Sequence, residues 1–504
     1  MSDFATRRAR RIRPATAIRA ARDLARVVLG DDPPICILFP DGSSLGPVDA
    51  AMRVTVRSTD AFAHMLRAPG ELGLARAYVS GAIDVEGDIG LAIDLQERIE
   101  NAGLPVRPAL AMVRAVGLDV LRNPPPPPPE EIRTGGRMSF RRHTKSRDAA
   151  SISHHYDVSN EFYRLVLGPS MTYSCAAFSS DDDTLEQAQQ NKYELVCRKL
   201  GLAPGMRLLD VGCGWGGMVV HAAKYHGVRA VGVTISSAQY EHARSAVAAA
   251  GLEHAVEIRL QDYRDIADGP FDAISSIGMF EHVGLRQLEV YFRGLKSLLR
   301  PEGRLLNHQI GWPPGNRRFG RERTDLNPRG FVQRYVFPDG ELHEIGNLAH
   351  SMQTTGFEVR HIETLREHYA RTLRFWGANL DADWASAATM VGEGRARVWK
   401  LYMAGSAVLF DTNRLQVHQV LAVNVVDRTG RAAMPWRPDW DHRLNTPGGA
   451  TAPMLPRRSS SANRRAPSDC APTMTSVVRP TRRGCPTCSS RLHPARRGGV
   501  ATTR

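Results

Sequence analysis

An apolar segment that runs directly into a glycine-rich turn limits the possible folds of this chain more than any other feature. Residues 206–211 predict a buried strand, and the turn from Gly212 to Gly217 follows it without a break. Residues 218–225 then predict a helix. Glycines in such a turn let the backbone approach a ligand, and the start of the helix favours negative charge. The sequence therefore predicts a ligand site where this strand ends.

The alternation of strand and helix continues along the chain. Apolar runs predict further strands, and amphipathic runs predict the helices between them. The predicted strands are 230–235, 256–260, 271–277 and 303–308, and the predicted helices are 237–250 and 288–299. Because strands separated by helices pair in parallel through crossovers, the predicted fold class is α/β with a doubly wound, mostly parallel sheet.

Shifts in composition divide the 504 residues into five predicted segments. Six consecutive prolines, Pro124 to Pro129, are typical of a stiff spacer and indicate a boundary. The segments are a basic N-terminal segment (1–30), a small mixed N-terminal domain (31–123), a Pro-rich basic linker (124–150), a catalytic domain (151–440) and an Arg/Pro/Ser-rich tail (441–504). In the first segment, residues 15–29 predict a helix that lies on a surface or packs on a core. The tail is predicted to be disordered, because it has few large apolar residues to offset its ordering entropy.

The net charge of +14 is typical of a nucleic-acid-binding protein, but its distribution along the chain argues otherwise. Residues 1–30 hold eight arginines and two aspartates, and residues 441–504 hold twelve arginines and two aspartates. The segment between them therefore carries a charge of −2. A nearly neutral body without the usual motifs argues against a nucleic-acid partner, and a basic nucleic-acid-binding protein is kept only as the non-enzyme alternative.

The cysteines indicate neither a disulfide framework nor a metal site. There are seven, an odd number at scattered positions, so a reducing cytoplasm is expected. Cys485 and Cys488 form a C-x-x-C pair in the tail, and no second pair supplies the other two ligands that zinc requires.

The glycine turn alone is compatible with more than one nucleotide. Gly212, Gly214 and Gly217 satisfy the G-x-G-x-x-G pattern of dinucleotide-binding folds. Those folds place an acidic residue after the second strand to bind the ribose, whereas residues 232–236 contain none. The Gly-Lys-Ser/Thr sequence of nucleoside-triphosphate loops is also missing.

The turn Asp210-Val-Gly-Cys-Gly-Trp-Gly-Gly217 instead resembles the nucleoside-binding turn of class I S-adenosylmethionine-dependent methyltransferases. That fold has a seven-stranded sheet. It commonly places an acid after the third strand, opposite the adenine amino group, and Asp262 stands at that position.

Motifs on both sides of the turn carry a closer resemblance. They are His155-Tyr-Asp157, Met171-Thr-Tyr-Ser-Cys-Ala176, Gly278-Met-Phe-Glu-His-Val-Gly284, Tyr335-Val-Phe-Pro338 and His368-Tyr-Ala-Arg-Thr-Leu373. In this order they resemble cyclopropane-fatty-acyl-phospholipid synthase and its relatives, the mycolic-acid cyclopropane synthases and fatty-acid methyltransferases. The resemblance is strong over 150–440 and looser over 31–120.

The resemblance implies transfer of a methyl group from S-adenosylmethionine to a cis double bond of an unsaturated phospholipid acyl chain. Proton loss to a bound bicarbonate then gives a cyclopropane fatty acid. An alkene is a poor nucleophile, so the site must hold the sulfonium carbon close to it and stabilise a cation in dry surroundings. Two alternatives stay open: a fatty-acid methyltransferase that gives a methylene or methyl-branched chain, and a catalytically silent lipid-binding relative.

The family pattern also implies site residues. The S-adenosylmethionine contacts would be Tyr173, Ser174, Gly212, Gly214, Thr234, Gln239, Asp262 and Tyr263. The bicarbonate would be held by Cys175 and Ile310 (both through the backbone), Glu281, His308 and Tyr369. Each residue taken singly also fits an ordinary role, such as a small buried cysteine, a carboxylate that caps a helix or a core tyrosine.

The same resemblance implies a membrane substrate. The expected location is cytoplasmic, with peripheral contact at the inner face of the membrane, and the small N-terminal domain could mediate a homodimer. Trp312 and the arginines at 317, 318, 321 and 323 form a loop that either lies near lipid headgroups or is solvated. The tail after residue 440 has no counterpart in the family pattern.

Overall fold

The structure is a computed structural model that describes most of the chain before the tail. The described residues are 14–91, 110–111, 113–115, 125–132, 159–315, 317–318, 321–322, 330–338, 340–426 and 434–440. The predicted disordered tail, the motif at His155–Asp157, the start of the basic segment and most of the linker lie outside them. So do the side chains of the loop arginines at 317–323.

The N-terminal part is a small mixed α/β layer. Its helices are α1 (Pro14–Leu29), α2 (Asp60–Arg67) and α3 (Glu71–Val79). Its strands are β1 (Cys36–Leu38), β2 (Ser44–Leu45), β3 (Met52–Val56) and β4 (Ile83–Gly87), in the order β2-β1-β3-β4. In α1, Ala17, Ile18 and Ala21 are buried in one apolar cluster with Phe39 and Phe62. The predicted helix is therefore packed on a core.

A seven-stranded sheet forms the centre of the chain and confirms the predicted fold class. Its strands are β5 (Arg207–Val211), β6 (Arg229–Thr234), β7 (Val256–Leu260), β8 (Phe271–Ile277), β9 (Leu299–Gly311), β12 (Phe357–Thr364) and β13 (Gln416–Asn424). The order is β12-β13-β9-β8-β5-β6-β7. The strands β5 to β9 pair in parallel, and β13 pairs antiparallel with both β9 and β12. A two-stranded ribbon, β10 (Arg317–Arg318) and β11 (Arg321–Glu322), follows β9.

Ten helices are described in the part of the chain that contains the large sheet. Those that alternate with the parallel strands are α5 (Leu185–Leu200), α6 (Gly217–His226), α7 (Ser237–Ala249) and α8 (Leu288–Leu298). The others are α4 (Asn160–Leu167), α9 (Phe331–Tyr335), α10 (Ile345–Thr354), α11 (Arg366–Ala382), α12 (Trp384–Val391) and α13 (Glu393–Asp411). No described helix has both the length and the apolar composition needed to cross a bilayer.

The end of the proline run is fixed to the protein through a buried carboxylate. Glu131 receives two hydrogen bonds from Arg76 of α3, at 2.6 and 2.7 Å, and also pairs with Arg334 of α9. The Ile132 amide donates to the Arg334 carbonyl at 2.7 Å. The N-terminal layer and α9 are therefore joined through the linker.

Candidate active site

The glycine turn has the backbone geometry that the sequence predicted. Gly212 has a φ of +79°, a conformation that is costly for residues with a side chain. A Cβ atom on Gly212 would lie 2.8 Å from the Met279 Cγ, and one on Gly217 would lie 2.1 Å from the Tyr193 hydroxyl oxygen. The turn is therefore tightly enclosed, and α6 begins directly behind it.

A cleft of about 380 Å³ opens beside this turn. All eight residues predicted to contact S-adenosylmethionine line it: Tyr173, Ser174, Gly212, Gly214, Thr234, Gln239, Asp262 and Tyr263. We call this cleft the cofactor cavity. It lies at the carboxyl ends of the parallel strands, where ligands bind in open α/β sheets.

Hydrogen bonds hold the polar rim of the cofactor cavity. The Thr234 hydroxyl donates to Gln239 Oε1 at 2.8 Å, and the Gln239 amide donates to the hydroxyl of Ser236 at the start of α7. Asp262 accepts hydrogen bonds from the Arg264 guanidinium, at 2.8 Å to Oδ1 and 2.6 Å to Oδ2. The Arg264 amide also donates to Asp262 Oδ1 at 2.9 Å, so this carboxylate is fixed at the rim of the cavity.

The cavity also contains two buried charged residues that the motifs did not single out. Lys192 of α5 donates to the Ser174 hydroxyl at 2.9 Å, and burial lowers its pKa to about 7. Asp210 at the end of β5 accepts from the Ser275 hydroxyl at 2.7 Å, and burial raises its pKa to about 6. Lys192 lies on the buried face of α5 with Leu185 and Ala188. A lysine on an apolar helix face was the signal in the sequence that could have identified it.

Glu281 lies just after β8, and His308 lies in the neighbouring strand β9. Glu281 Oε1 accepts from the Ile310 amide at 2.7 Å, and the Gly278 amide donates to the His308 carbonyl at 2.9 Å. Glu281 Oε2 is buried and has no hydrogen-bond partner among the described residues. Burial raises the pKa of Glu281 to about 7, so this carboxyl group can gain or lose a proton near neutrality.

His308 is held in one orientation by a chain of side chains. Gln419 Nε2 lies 3.2 Å from His308 Nδ1, and Gln419 Oε1 accepts from the Lys199 ammonium at 2.7 Å. Lys199 also pairs with Glu363. Because Gln419 uses its oxygen for Lys199, its NH₂ group donates to Nδ1, and the neutral imidazole carries its proton on Nε2. Burial holds the pKa of His308 well below its usual value, and Nε2 is buried without a partner in the described part of the chain.

Cys175 and Tyr369 are joined through one carbonyl group. The Leu365 carbonyl accepts from the Tyr369 amide at 3.0 Å and from the Cys175 thiol at 3.6 Å. The Leu365 amide donates to the carbonyl of Val417, which pairs with Ile310 across the sheet. Cys175 is fully buried, and burial raises the pKa of its thiol, so it is a neutral thiol.

Through these contacts the structure connects all five residues predicted to hold bicarbonate. We call Cys175, Glu281, His308, Ile310 and Tyr369 the buried cluster. Met279 and His282, on either side of Glu281, line the cofactor cavity, so the two sites adjoin at this segment.

The sequence of the chain matches a known protein family. The family model for mycolic acid cyclopropane synthetase matches residues 143–420. The chain belongs to this family. A probable fatty acid methyltransferase of Mycobacterium tuberculosis is 47% identical over 407 residues, which cover 79% of this chain and 93% of that protein. The cyclopropane-fatty-acyl-phospholipid synthase of Escherichia coli is 34% identical over 381 residues, which cover 75% of this chain and 90% of that enzyme.

A solved structure of the cyclopropane synthetase family shows the same fold. The mycolic acid cyclopropane synthase CmaA1, complexed with SAH and CTAB, superimposes with a TM-score of 0.51 at 34% identity and covers 55% of this chain and 98% of that chain. The protein is therefore a methyltransferase of the cyclopropane-fatty-acyl-phospholipid synthase type, and S-adenosylmethionine is its methyl donor.

Aromatic side chains of this methyltransferase pack around Tyr173 and Tyr369. The Tyr173 ring centroid lies 5.3 Å from that of Trp376 and 5.7 Å from that of Trp399, and the Tyr369 ring lies 4.7 Å from Phe410. The motifs did not identify the two tryptophans. Trp376 lies seven residues after Tyr369 on α11, so helical periodicity was the available signal.

Proposed function

We propose that this enzyme converts a cis double bond in an unsaturated phospholipid acyl chain into a cyclopropane ring. The observation that carries the proposal is the pair of unpartnered buried atoms, Glu281 Oε2 and His308 Nε2, on adjoining strand ends beside the cofactor cavity. Buried polar atoms without partners are costly, so a small polar group is expected to satisfy them.

The cofactor cavity fits S-adenosylmethionine by its shape and its polar rim. A Cβ at Gly212 would press on Met279 and one at Gly217 would press on Tyr193, so the tight turn beside the cavity requires glycine at both positions. When bound, S-adenosylmethionine supplies a methyl carbon that is activated by the adjacent sulfonium. Thr234, Gln239 and Asp262 are proposed to bind the nucleoside, and Tyr173 and Ser174 the sulfonium end.

The buried cluster fits a bicarbonate ion in the number and kind of its polar atoms. When bound, bicarbonate supplies the base that accepts a proton from the incoming methyl group. His308 Nε2 donates one hydrogen bond, fixed in that role by Gln419. Glu281, with its pKa near 7, shares a proton, and the Ile310 amide holds its carboxyl group in place.

Cys175 and Tyr369 complete the proposed anion site and border the acyl chain. Both lie in a large apolar cluster with Trp376, Trp399 and Phe410. The apolar wall excludes water from a cationic intermediate, and the faces of aromatic rings attract a positive charge. The rings of Trp376, Trp399 and Phe410 therefore stabilise the developing cation.

The proposed location of the enzyme follows from its proposed substrate. An acyl chain of a phospholipid lies in a bilayer, so the proposal includes peripheral contact with the inner face of the cytoplasmic membrane. Trp312, half-buried against the apolar cluster at the end of β9, is one candidate for the path between bilayer and site.

The proposal is tested with purified enzyme, methyl-labelled S-adenosylmethionine and vesicles of unsaturated phospholipid. We expect label in the acyl chains and a product that resists mild hydrogenation, as determined by mass spectrometry. Vesicles of saturated phospholipid are the matched control and should remain unlabelled. Label in neither lipid would overturn the proposal.

A second candidate is a fatty-acid methyltransferase that gives a methylene or methyl-branched chain. It is favoured by the name of the relative that is 47% identical over most of the chain. In both reactions methyl transfer is followed by loss of one proton. The methylene chain forms when a hydride first shifts to the cationic carbon, and a saturated methyl branch further requires a hydride donor, which is added to the assay in a parallel reaction. A labelled product that gains hydrogen on mild reduction would identify the methylene chain, and a labelled saturated branch would identify the methyl-branched chain.

A further inference from the structure

A second cluster of polar side chains lies between α5 and α6, outside both proposed sites. Cys197 of α5 and His221 and His226 of α6 place their ligand atoms within 4.8 Å of one another. Glu194, one helical turn before Cys197, reaches the same point. Its Oε2 lies 2.9 Å from His226 Nε2 and 3.4 Å from His221 Nε2.

We propose that Glu194, Cys197, His221 and His226 bind one zinc ion. A thiolate, two imidazoles and a carboxylate are a donor set that zinc prefers, and four protein ligands are typical of a structural site. Tetrahedral zinc, with bonds of about 2.0–2.3 Å, holds its ligand atoms about 3.3–3.8 Å apart. The three Cys and His atoms therefore need to close by about 1.5 Å at most to reach that geometry.

The orientation of His221 supports a cation at this point. Its Nδ1 lies 3.0 Å from Gln190 Oε1, an acceptor, so Nδ1 carries the proton. Nε2 of the neutral ring then presents a lone pair toward Glu194 Oε2. Two acceptors that face each other at 3.4 Å are unfavourable, and a cation between them removes the conflict. A carbonyl oxygen on the second nitrogen is also the usual partner of a zinc-bound histidine.

Glu194 and the surroundings of the site meet the other requirements. Its Oε1 accepts from Arg198 at 2.7 Å, which fixes the carboxylate and leaves Oε2 for the ion. Cys197 and His221 are buried, whereas His226 keeps 17% of its side chain exposed and provides the entry path. Zinc binding displaces the thiol proton of Cys197 to solvent.

The position of the site gives the ion a structural role. The same two helices reach the cofactor cavity, since α5 carries Lys192 and α6 begins at Gly217. A zinc ion that links Cys197 to His226 therefore clamps the outer parts of both helices and fixes their inner parts against the cavity.

The test measures metal content and spectra in the full chain. Cys485→Ser and Cys488→Ser are introduced into every protein, so that the tail pair cannot bind zinc. The parent chain, loaded with zinc and dialysed, should retain about one zinc ion per chain. With cobalt in place of zinc, it should show a thiolate charge-transfer band and the visible bands of four-coordinate cobalt.

Two variants and one control locate the site. Cys197→Ser should lose the charge-transfer band, and both Cys197→Ser and His226→Gln should lose most of the zinc. Cys36→Ser, at another buried cysteine in β1, should keep both. His226 is partly exposed, so its variant tests the site even if Cys197→Ser fails to fold. A parent chain that retains no zinc, or a His226→Gln variant that retains all of it, would overturn the proposal.

Discussion

The cofactor cavity and the buried cluster lie side by side but are constructed differently. The cavity is an open cleft lined by a backbone turn and by polar side chains such as Thr234 and Gln239. The buried cluster lies against an apolar wall, and its two key polar atoms, Glu281 Oε2 and His308 Nε2, are buried and have no partner in the described chain. The first construction suits a polar molecule that enters and leaves at each turnover. The second suits a cation that water must not reach.

The difference also appears in the electrostatics of the two regions. In the cavity, Lys192 and Asp210 have shifted pKa values, but each is hydrogen-bonded to a serine hydroxyl. In the buried cluster, Glu281 has one oxygen bound by a backbone amide and the other unpartnered. Changes to the two regions should therefore affect different measurements: cofactor affinity in the cavity and turnover in the cluster.

Replacing Glu281 by Gln should separate the two regions most clearly. The amide oxygen can still accept from Ile310, but the side chain can no longer exchange a proton. We expect kcat to fall about 100- to 1000-fold, the range for the loss of an acid–base or charge-stabilising group. The Kd for S-adenosylhomocysteine, measured by calorimetry, should stay unchanged. Glu289→Gln, at an exposed glutamate of α8, is the control, and a similar loss of activity in both variants would refute the assignment.

The stability of the protein should depend on pH through the same residue. The folded pKa of Glu281, about 7, lies above the unfolded value of 4.5, so the folded state holds the proton more tightly. This contribution is complete below about pH 4.5 and is lost as the pH rises through about 7, a change of about 3 kcal/mol. Urea unfolding in bicarbonate-free buffer should show wild type losing stability relative to Glu281→Gln between pH 5 and 8. Parallel curves for the two proteins would contradict the burial argument.

Replacing Gly212 by Ala should act on the cavity alone. A residue with a Cβ at a φ of +79° costs about 1–2 kcal/mol, and the new atom would also press on Met279. Because Met279 lines the cavity and must move to admit the new methyl group, we expect the Kd for S-adenosylhomocysteine to rise about tenfold, which corresponds to about 1.4 kcal/mol. Gly205→Ala is a matched control, because Gly205 has a φ of +83° with open space around it. It should lose stability but keep its affinity; an equal loss of affinity would show that strain, not close approach, is responsible.

Replacing Gln419 by Leu should have the smallest effect and test how His308 is positioned. The change removes the donor to Nδ1, so the proton is no longer fixed on Nε2. Loss of a hydrogen bond worth about 1–1.5 kcal/mol predicts a fall in kcat of about tenfold. The bicarbonate concentration needed for half-maximal rate should rise, while cofactor affinity holds. Gln416→Leu, on the same strand, is the control, and an unchanged bicarbonate dependence in Gln419→Leu would argue against the positioning role.

The sequence predicted the cavity better than the helical end of the fold. The cavity residues follow strands with clear apolar patterns, so their convergence at one sheet edge could be inferred from order alone. By contrast, the patterns predicted no element after residue 308. The strand β13 is almost entirely buried, and an apolar run of that kind does not reveal whether it pairs in parallel or antiparallel.

Contacts that depend on the register between strands could not be predicted from the sequence either. The link from Lys199 through Gln419 to His308 requires α5, β13 and β9 to meet. Gln419 is 220 positions from Lys199 and 111 positions from His308. Lys192 and Lys199 fall on the apolar face of α5, but buried lysines are uncommon, and their positions in the sequence do not reveal which groups they pair with. In the structure both are enclosed, because their ammonium groups find partners inside.

The ion pairs of Glu131 have a consequence for how the chain can be shortened. Arg334 and Tyr335 of α9 bind this carboxylate, and the Phe331 amide of the same helix donates to Glu71 at 2.9 Å. The short helix α9 is thus held by hydrogen bonds to residues that precede it by two hundred positions or more. A protein trimmed to begin after residue 131 would keep every strand of the large sheet and yet lose both Glu71 and Glu131, the two carboxylates that bind α9. The N-terminal layer and the linker thus supply the carboxylates that hold this helix of the catalytic half in place.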